Sequence, residues 1–115
     1  MENATLLKFQ GYQIRSKVDE DVLWLAAKDV CNALDITWSG KTVTLKHVSE
    51  EYLGVLYHKT PKGVQAVTAI SEPGIYQLAF QSRKPKAKQF FDWVVKDVLP
   101  QIRKTGKYQA KEDVS

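Results

Sequence analysis

The last helix is predicted to begin at Pro85, and four cations surround that beginning: Arg83, Lys84, Lys86 and Lys88. A helix carries partial positive charge at its N-terminus, so stability alone would favour Asp or Glu there. Backbone N–H groups, the helix dipole and four cationic side chains together are suited to holding a phosphate. The pattern therefore predicts contacts with the phosphates of duplex DNA, and a solvated charge run is the alternative.

A second group of cations follows near the predicted end of this helix: Arg103, Lys104 and Lys107. It is a weaker candidate for DNA contact, because the negative pole of the helix dipole alone would favour cations there. Residues 83–107 contain eight Lys or Arg and two Asp, a balance of +6, whereas residues 1–58 contain six basic and eight acidic residues, a balance of −2. This sided charge distribution, in a chain of net charge +4, permits nucleic acid as a partner.

Lys59 and Lys62 lie in a short loop, residues 59–63, between two segments rich in Val, Tyr and Ile. Such a loop, with Pro and Gly, is typical of the turn of an antiparallel hairpin. A two-stranded ribbon fits the width of the DNA major groove. The two lysines are therefore a further candidate for DNA contact, and ordinary surface lysines are the alternative.

Residues 26–46 are a further candidate for DNA contact, as a degenerate helix-turn-helix. An apolar stripe predicts a helix over residues 26–34, and Ser39 is a candidate cap for a second helix over residues 40–46. The β-branched residues in the second segment favour a strand instead. If the second helix forms, its outward side chains are Lys41, Thr42 and Lys46.

Three aromatic residues are candidates for a protein–protein contact: Tyr76, Phe80 and Trp93. Trp93 falls off the apolar stripe of its helix, and aromatic side chains are enriched at the centres of interfaces. The group predicts the surface of a homodimer or of a contact with another protein, and packing against the strands is the alternative. Of the other tryptophans, Trp24 is predicted to lie in the core and Trp38 in a partly exposed loop.

No residue pattern typical of catalysis is present. The sequence has no Gly-rich phosphate loop, no His-Glu-x-x-His and no pair of cysteines at metal-binding spacing. His47 and His58 are predicted to be surface groups, and Cys31, on the buried stripe of its helix, an inert small hydrophobe. We therefore expect a protein that is not an enzyme and that has no catalytic residue, metal site or cofactor.

The sequence also indicates in which cellular compartment the protein resides. No segment approaches the roughly 18 consecutive apolar residues of a membrane span, and the N-terminus lacks a signal-peptide pattern. A single cysteine suits a reducing compartment. We expect a cytoplasmic protein without a membrane partner.

The elements that position these residues follow from the hydrophobic periodicity. The predicted strands are residues 6–10, 12–17, 22–25, 52–58 and 64–70. Ser71 and Pro73 indicate the beginning of a helix that runs to about residue 81, and a long amphipathic helix follows from Pro85, which Pro100 must disturb. The result is one α+β domain: a small antiparallel sheet of short strands with a β-hairpin, packed by short helices and a long amphipathic C-terminal helix.

Six segments carry a family resemblance. Three are short and lie at residues 9–15, 47–48 and 71–78, and three are longer motifs. The longer motifs are Trp-Leu-Ala-Ala-Lys-Asp-Val-Cys-Asn-Ala-Leu at residues 24–34, Ser-Arg-Lys-Pro at the beginning of residues 82–94, and Leu-Pro-Gln-Ile-Arg-Lys-Thr-Gly within residues 98–108. With these motifs the chain resembles, over residues 9–108, the Bro N-terminal domain of phage and prophage antirepressors and of large DNA viruses of insects. The resemblance implies a compact α+β module without shared catalytic residues, which binds DNA in several members.

From these observations we expect residues 1–108 to form a Bro N-terminal-like domain and residues 109–115 a frayed polar tail. The predicted function is a non-catalytic regulatory module in the bacterial cytoplasm that binds double-stranded DNA through the cations at residues 83–88. The alternative is a protein-interaction module that binds and inactivates a repressor or another protein. In phages, the resemblance implies a role in counteracting a repressor.

Overall fold

An antiparallel five-stranded sheet forms the centre of the structure. The structure is a computed structural model, and it describes residues 5–80, 82 and 84–105. The strand order is β1-β2-β3-β5-β4. The strands are β1 (Thr5–Phe9), β2 (Tyr12–Asp19), β3 (Val22–Ala26), β4 (Leu53–Thr60) and β5 (Gly63–Ser71). All five predicted strands are confirmed, with ends that differ from the prediction by at most two residues.

Helices connect and follow these strands in the sequence. They are α1 (Ala27–Ala33), α2 (Lys41–Thr44), a 3₁₀ turn (Glu50–Tyr52), α3 (Glu72–Phe80), α4 (Pro85–Trp93), a π-helical turn (Val94–Val98) and α5 (Leu99–Thr105). The last three follow one another without a break and are called the C-terminal helix, residues 85–105. Sheet and helices together confirm the predicted α+β fold.

One face of the sheet packs against the helices. The strand register places Leu7, Ile14, Leu25 and Ile70 on this face, and all four are buried. Phe90 of the C-terminal helix is completely buried in the same cluster. Burying a side chain of this size stabilises the fold by about 1.5–3 kcal/mol, so this layer holds the C-terminal helix along the sheet.

The C-terminal helix passes Pro100 without breaking. Proline has no N–H, and its ring crowds the carbonyl group four residues earlier, here that of Lys96. The π-helical turn Val94–Val98 includes this residue and widens the helix just before the proline. The predicted disturbance is thus a local widening, and Ile102 beyond it remains buried.

The other face of the sheet is strongly curled. Lys17 of β2 donates a hydrogen bond from Nζ to the carbonyl oxygen of Val55 in β4 at 3.1 Å, although β3 and β5 lie between these strands in the sheet. Trp24 lies across Gly54, where a Cβ atom would be 3.1 Å from the indole ring. Trp24 is half-buried on the face opposite Leu25, so its predicted place in the core is wrong: alternation along β3 points its neighbours inward instead.

Candidate nucleic-acid interface

The strand register defines two ends of the sheet. At one end lie the turn between β1 and β2, at residues 10–11, and the beginning of α1 just after Ala26. Because β5 pairs with β3 only over residues 69–71, the rest of the β4–β5 hairpin continues past Ala26 toward this same end. We call it the hairpin end. The turn between β2 and β3, at residues 20–21, marks the opposite end.

The distal half of the β4–β5 hairpin is exposed on both faces. The predicted loop of residues 59–63 shortens to a two-residue turn, Pro61 and Lys62, because Thr60 already pairs with Gly63. No residue from 57 to 66 is buried. Two apolar side chains on one face, Tyr57 and Val64, are 41% and 58% exposed. The hairpin is therefore a projecting ribbon, uncovered by the helices.

The cations of the hairpin lie at its tip. The Thr60 hydroxyl donates to the carbonyl of Gly63 at 2.7 Å and accepts from the backbone N–H of Lys62 at 3.2 Å, which fixes the turn. Lys59 and Lys62 are exposed, and their ammonium groups have no hydrogen-bonding or ion-pair partner within the described residues. Both predicted candidates are thus available to an anion.

Two of the predicted cations at the beginning of α4 contact other parts of the fold. Lys84 Nζ donates to the carbonyl oxygen of Asp35 at 2.8 Å and lies 3.2 Å from its carboxylate. Lys86 Nζ donates to the hydroxyl of Tyr12 at 2.8 Å and lies 4.6 Å from the centre of that ring. These contacts point the two lysines in different directions, toward the loop after α1 and toward the beginning of β2.

The remaining cations of that group differ in setting. Lys88 pairs with Asp92 one helical turn later at 3.2 Å, and its side chain is 82% exposed. Arg83 lies outside the described residues, so the predicted four-cation cluster is described for three of its members. Nothing in these contacts excludes phosphate binding, because exposed ion pairs of this kind contribute only about 0–1 kcal/mol and exchange readily with another anion.

The beginning of α4 lies at the same end of the sheet as the hairpin tip. Its contact with Tyr12 places it beside the first residue of β2, and its contact with Asp35 places it beside the chain that leaves α1. Tyr12 belongs to the hairpin end, and Lys84 precedes Lys86 by only two residues. The fold therefore brings together, at one end, the two groups of cations that lie more than 20 residues apart in the sequence.

The opposite end of the sheet is rich in carboxylates. Asp21, Glu51 and Glu72 line a surface cavity of about 390 Å³ whose other walls include Trp24 and Arg103. Arg103 lies 17 residues after Lys86 in the C-terminal helix, which separates the two residues by about 25 Å at a rise of 1.5 Å per residue.

The predicted second basic group is therefore far from the first. Lys104 is exposed and follows Arg103 in α5, and Lys107 lies outside the described residues, as do residues 109–115. A duplex would have to extend along about 25 Å of the domain to contact both groups. Sequence spacing had grouped both sets on a single helix, and the length of that helix separates them.

The three aromatic residues predicted as an interface fall into two places. Tyr76 contacts Phe91 with 5.0 Å between ring centres, and Phe80, which follows one turn later in α3, is 88% exposed. Trp93 lies in a different cluster, 5.2 Å from Phe9 of β1. Tyr76 and Phe80 can share one surface, whereas Trp93 packs against a strand.

Burial raises the pKa of both Tyr76 and Cys31. Partial burial and a hydrogen bond to Glu72 raise the pKa of Tyr76 to about 12. Burial raises the pKa of the Cys31 thiol to about 11. Both groups are therefore protonated at neutral pH, and Cys31 is completely buried, as its position on the apolar stripe predicts.

The helix-turn-helix interpretation gains no support from the fold. The predicted second helix over residues 40–46 is reduced to the single turn α2, Lys41–Thr44, without a buried residue. Lys41 points to Glu50 at 3.9 Å, and Thr42 and Lys46 are exposed. A helix of one turn is too short to present several side chains to a groove.

In the part of the chain that the structure describes, no three His, Cys, Asp or Glu side chains come close enough together to hold a metal ion. Among the same residues, no helix is both long and apolar enough to cross a membrane.

Sequence reasoning did not identify the pairing of His58 with Gln65. These residues are direct cross-strand partners near the hairpin tip, and their side chains share a face with Thr60. The signal was present in the alternation of β4 and β5, which places every second residue on the same face. Pairing the two residues also requires the strand register, which the length of the turn determines.

Comparison with known proteins agrees with this architecture. Residues 13–100 match the family model of the BRO family, N-terminal domain. An uncharacterised protein of Haemophilus influenzae is 44% identical over 88% of this chain and 50% of its own length. The Bro-N domain-containing protein 289L of Invertebrate iridescent virus 6 is 31% identical over 92% of this chain and 30% of its own length.

The chain thus spans half or less of the length of these relatives. No solved structure matches it. The family model covers residues 13–100, which include all but the first residue of β2, the strands β3 to β5 and most of the C-terminal helix. The chain therefore belongs to the BRO family and carries its N-terminal domain.

Proposed function

We propose that this domain is a non-catalytic regulatory module that binds double-stranded DNA, with its hairpin end against the phosphates. The observation that carries the proposal is the meeting of two separate groups of cations at that end. Lys59 and Lys62 lie at the hairpin tip, and Lys84 and Lys88 lie at the beginning of α4.

The carboxylates are arranged in a way that favours this orientation. Asp21, Glu51 and Glu72 lie around the cavity at the opposite end. At the hairpin end, Asp29 is bound by Arg15 and Asp35 by Lys84. The resulting field has one positive end, which steers a polyanion toward the hairpin.

The lysines can reach phosphates without disturbing the fold. Lys84 and Lys88 are 54% and 82% exposed at the side chain, and each partner carboxylate is also exposed in part. Such pairs contribute about 0–1 kcal/mol, so a phosphate can replace the carboxylate at little cost. Lys86 is better placed to support the fold, since it holds the beginning of α4 against Tyr12.

The regulatory part of the proposal comes from the family. The Bro N-terminal domain, as the resemblance implies, occurs in phage and viral regulators, and the relatives include proteins of insect viruses and of a bacterium. A role in an antirepressor, in which this domain binds DNA, is the form we propose.

The test is binding to a fluorescent duplex of random sequence, followed by anisotropy at about 50 and about 200 mM salt. Four phosphate contacts predict a decrease in affinity of about 100-fold between these concentrations, from roughly 0.9 released counterions per phosphate. Absence of binding at the lower concentration contradicts the proposal.

A second candidate function is the binding of a protein, such as a repressor. It is favoured by one observation: Phe80 is 88% exposed and lines, with Phe91 and Lys84, a surface cavity of about 330 Å³. An aromatic side chain so exposed is common at the centre of an interface. Retention of a partner from a host extract by the wild type, and its loss with Phe80→Ser, would support this function; equal retention by both proteins would contradict it.

A further inference from the structure

The two faces of the projecting hairpin differ in chemistry. Register places His58, Thr60 and Gln65 on one face, and Tyr57, Lys59 and Val64 on the other. The first face therefore carries an imidazole and a carboxamide, both of which donate and accept hydrogen bonds. The second is mostly apolar apart from its lysine.

His58 and Gln65 are directly opposite one another in the hairpin. Cross-strand partners in an antiparallel pair have Cβ atoms about 4.5–5.5 Å apart. That separation is between one and two base-pair steps, at about 3.4 Å per step along one strand. In the described residues neither side chain has a hydrogen-bonding partner, so both are available for an external contact.

The dimensions of the ribbon fit a major groove. The groove is about 12 Å wide and about 8.5 Å deep, and it admits a two-stranded β-ribbon. Four residues of β4, from Tyr57 to Thr60, extend along about 13 Å at roughly 3.3 Å per residue. The exposed part of the hairpin is thus long enough to cross the edges of several base pairs.

We propose that the hairpin lies in the major groove with His58 and Gln65 toward the bases, where they determine sequence preference. Gln65 suits adenine, to which a carboxamide binds in a bidentate manner, and His58 donates to a purine acceptor at the neighbouring pair. Lys62 at the tip then reaches a phosphate. This inference rests on the proposed function, because it assigns base contacts within the same DNA-binding end.

The test uses duplexes with a randomised central segment, from which each protein selects its bound fraction for sequencing. Three proteins are compared: the wild type, His58→Val with Gln65→Val, and the control Tyr57→Thr with Val64→Thr on the other face. Valine and threonine both favour strands, so the hairpin is retained in each variant. Circular dichroism and the melting temperature check that it is.

We expect the wild type to enrich a short base preference and the His58/Gln65 variant to lose about 10-fold or more of that discrimination, while its affinity for the unselected pool stays within about twofold. The control variant keeps the preference. A preference that survives in the His58/Gln65 variant, or is lost only in the control, overturns the inference.

Failure of the proposed function gives a different result. If the wild type does not bind the unselected pool at low salt, both the function and this inference are wrong. If it binds with a steep salt dependence and enriches no sequence, the function stands and the assignment of base contacts to His58 and Gln65 is wrong.

Discussion

Asp29 binds Arg15 three times at the place where β3 ends: its carboxylate accepts from the backbone N–H at 2.9 Å, from Nε at 2.8 Å and from Nη2 at 2.9 Å. The pairing of β2 with β3 covers Ser16 to Asp19, so Arg15 lies just outside it and its N–H has no partner in β3. Asp29, in the first turn of α1, replaces that strand. The pairing also raises the pKa of Arg15, chiefly through the hydrogen bond with Asp29.

The Arg15–Asp29 pair should therefore matter more for stability than other ion pairs of the domain. Its two side chains are only 18% and 12% exposed. We expect Asp29→Ala to reduce the free energy of unfolding by about 2–3 kcal/mol, because it leaves a guanidinium and a backbone N–H without partners. Urea denaturation measures the change.

The matched control for this prediction is Asp92→Ala, which removes the exposed partner of Lys88. Its expected effect is about 0.5 kcal/mol or less. Equal effects of the two substitutions would show that Asp29 has no special role at the end of β3.

The two ends of the sheet should respond differently to loss of charge. Lys59→Gln with Lys62→Gln removes two positive charges from the hairpin end, and Arg103→Gln with Lys104→Gln removes two from the opposite end. We expect the first variant to lower the log–log salt slope of DNA binding by roughly 1.8, the value for two phosphates. The second should leave the slope unchanged, and anisotropy titrations compare them.

The beginning of α4 is tested in the same assay with a third variant of equal net charge, Lys84→Gln with Lys88→Gln. A decrease in slope similar to that of the hairpin variant is expected if both groups contact phosphates. Equal decreases in all three variants would mean that net charge alone governs binding, and that no end of the domain is preferred.

Phe80 and Trp93 should have opposite roles. Trp93 packs on Phe9 and lies 5.5 Å from Phe90 between ring centres, so Trp93→Ala is expected to destabilise the fold by about 2–4 kcal/mol. Phe80, at 88% exposure, should tolerate Ser within about 0.5 kcal/mol. Chemical denaturation of both variants distinguishes them, and a large loss of stability for Phe80→Ser would place that ring in the folded core.

The thiol of Cys31 should be unreactive in the native protein. The side chain is completely buried, and burial raises its pKa to about 11, so the thiolate is scarce at neutral pH. Reaction with a disulfide reagent is expected to be slow in buffer and fast in denaturant. A rapid native reaction would indicate frequent opening around α1.

Tyr76 should make stability depend on alkaline pH. Its pKa is about 12 in the folded state and 10.0 as the ordinary value, so the unfolded chain loses this proton first. Between these values the unfolded state binds fewer protons than the folded state, and stability falls as pH rises. Below pH 10 the contribution is constant.

The comparison that isolates this effect is Tyr76→Phe, which cannot ionise. Its stability should fall less steeply than that of the wild type from about pH 10 to about pH 12. Parallel curves for the two proteins would show that Tyr76 ionises alike in both states.

Local patterns predicted much of this fold. Alternation along β4 and β5 and the helical spacing after Pro85 identified these elements, because both periods are visible within a few residues. The disturbance at Pro100 was predicted for the same reason: the missing N–H is a property of one residue. The candidate cations were likewise evident as residue types.

The arrangement of those cations depended on the tertiary structure. Lys59 and Lys84 come to one end of the sheet only because β5 pairs antiparallel with β3 over three residues and the C-terminal helix begins beside Tyr12. Arg103, on that same helix, comes to the other end. Charge and periodicity are local properties of a sequence, whereas the end of a sheet that a residue reaches is decided by strand order, register and helix length, which require contacts between distant residues.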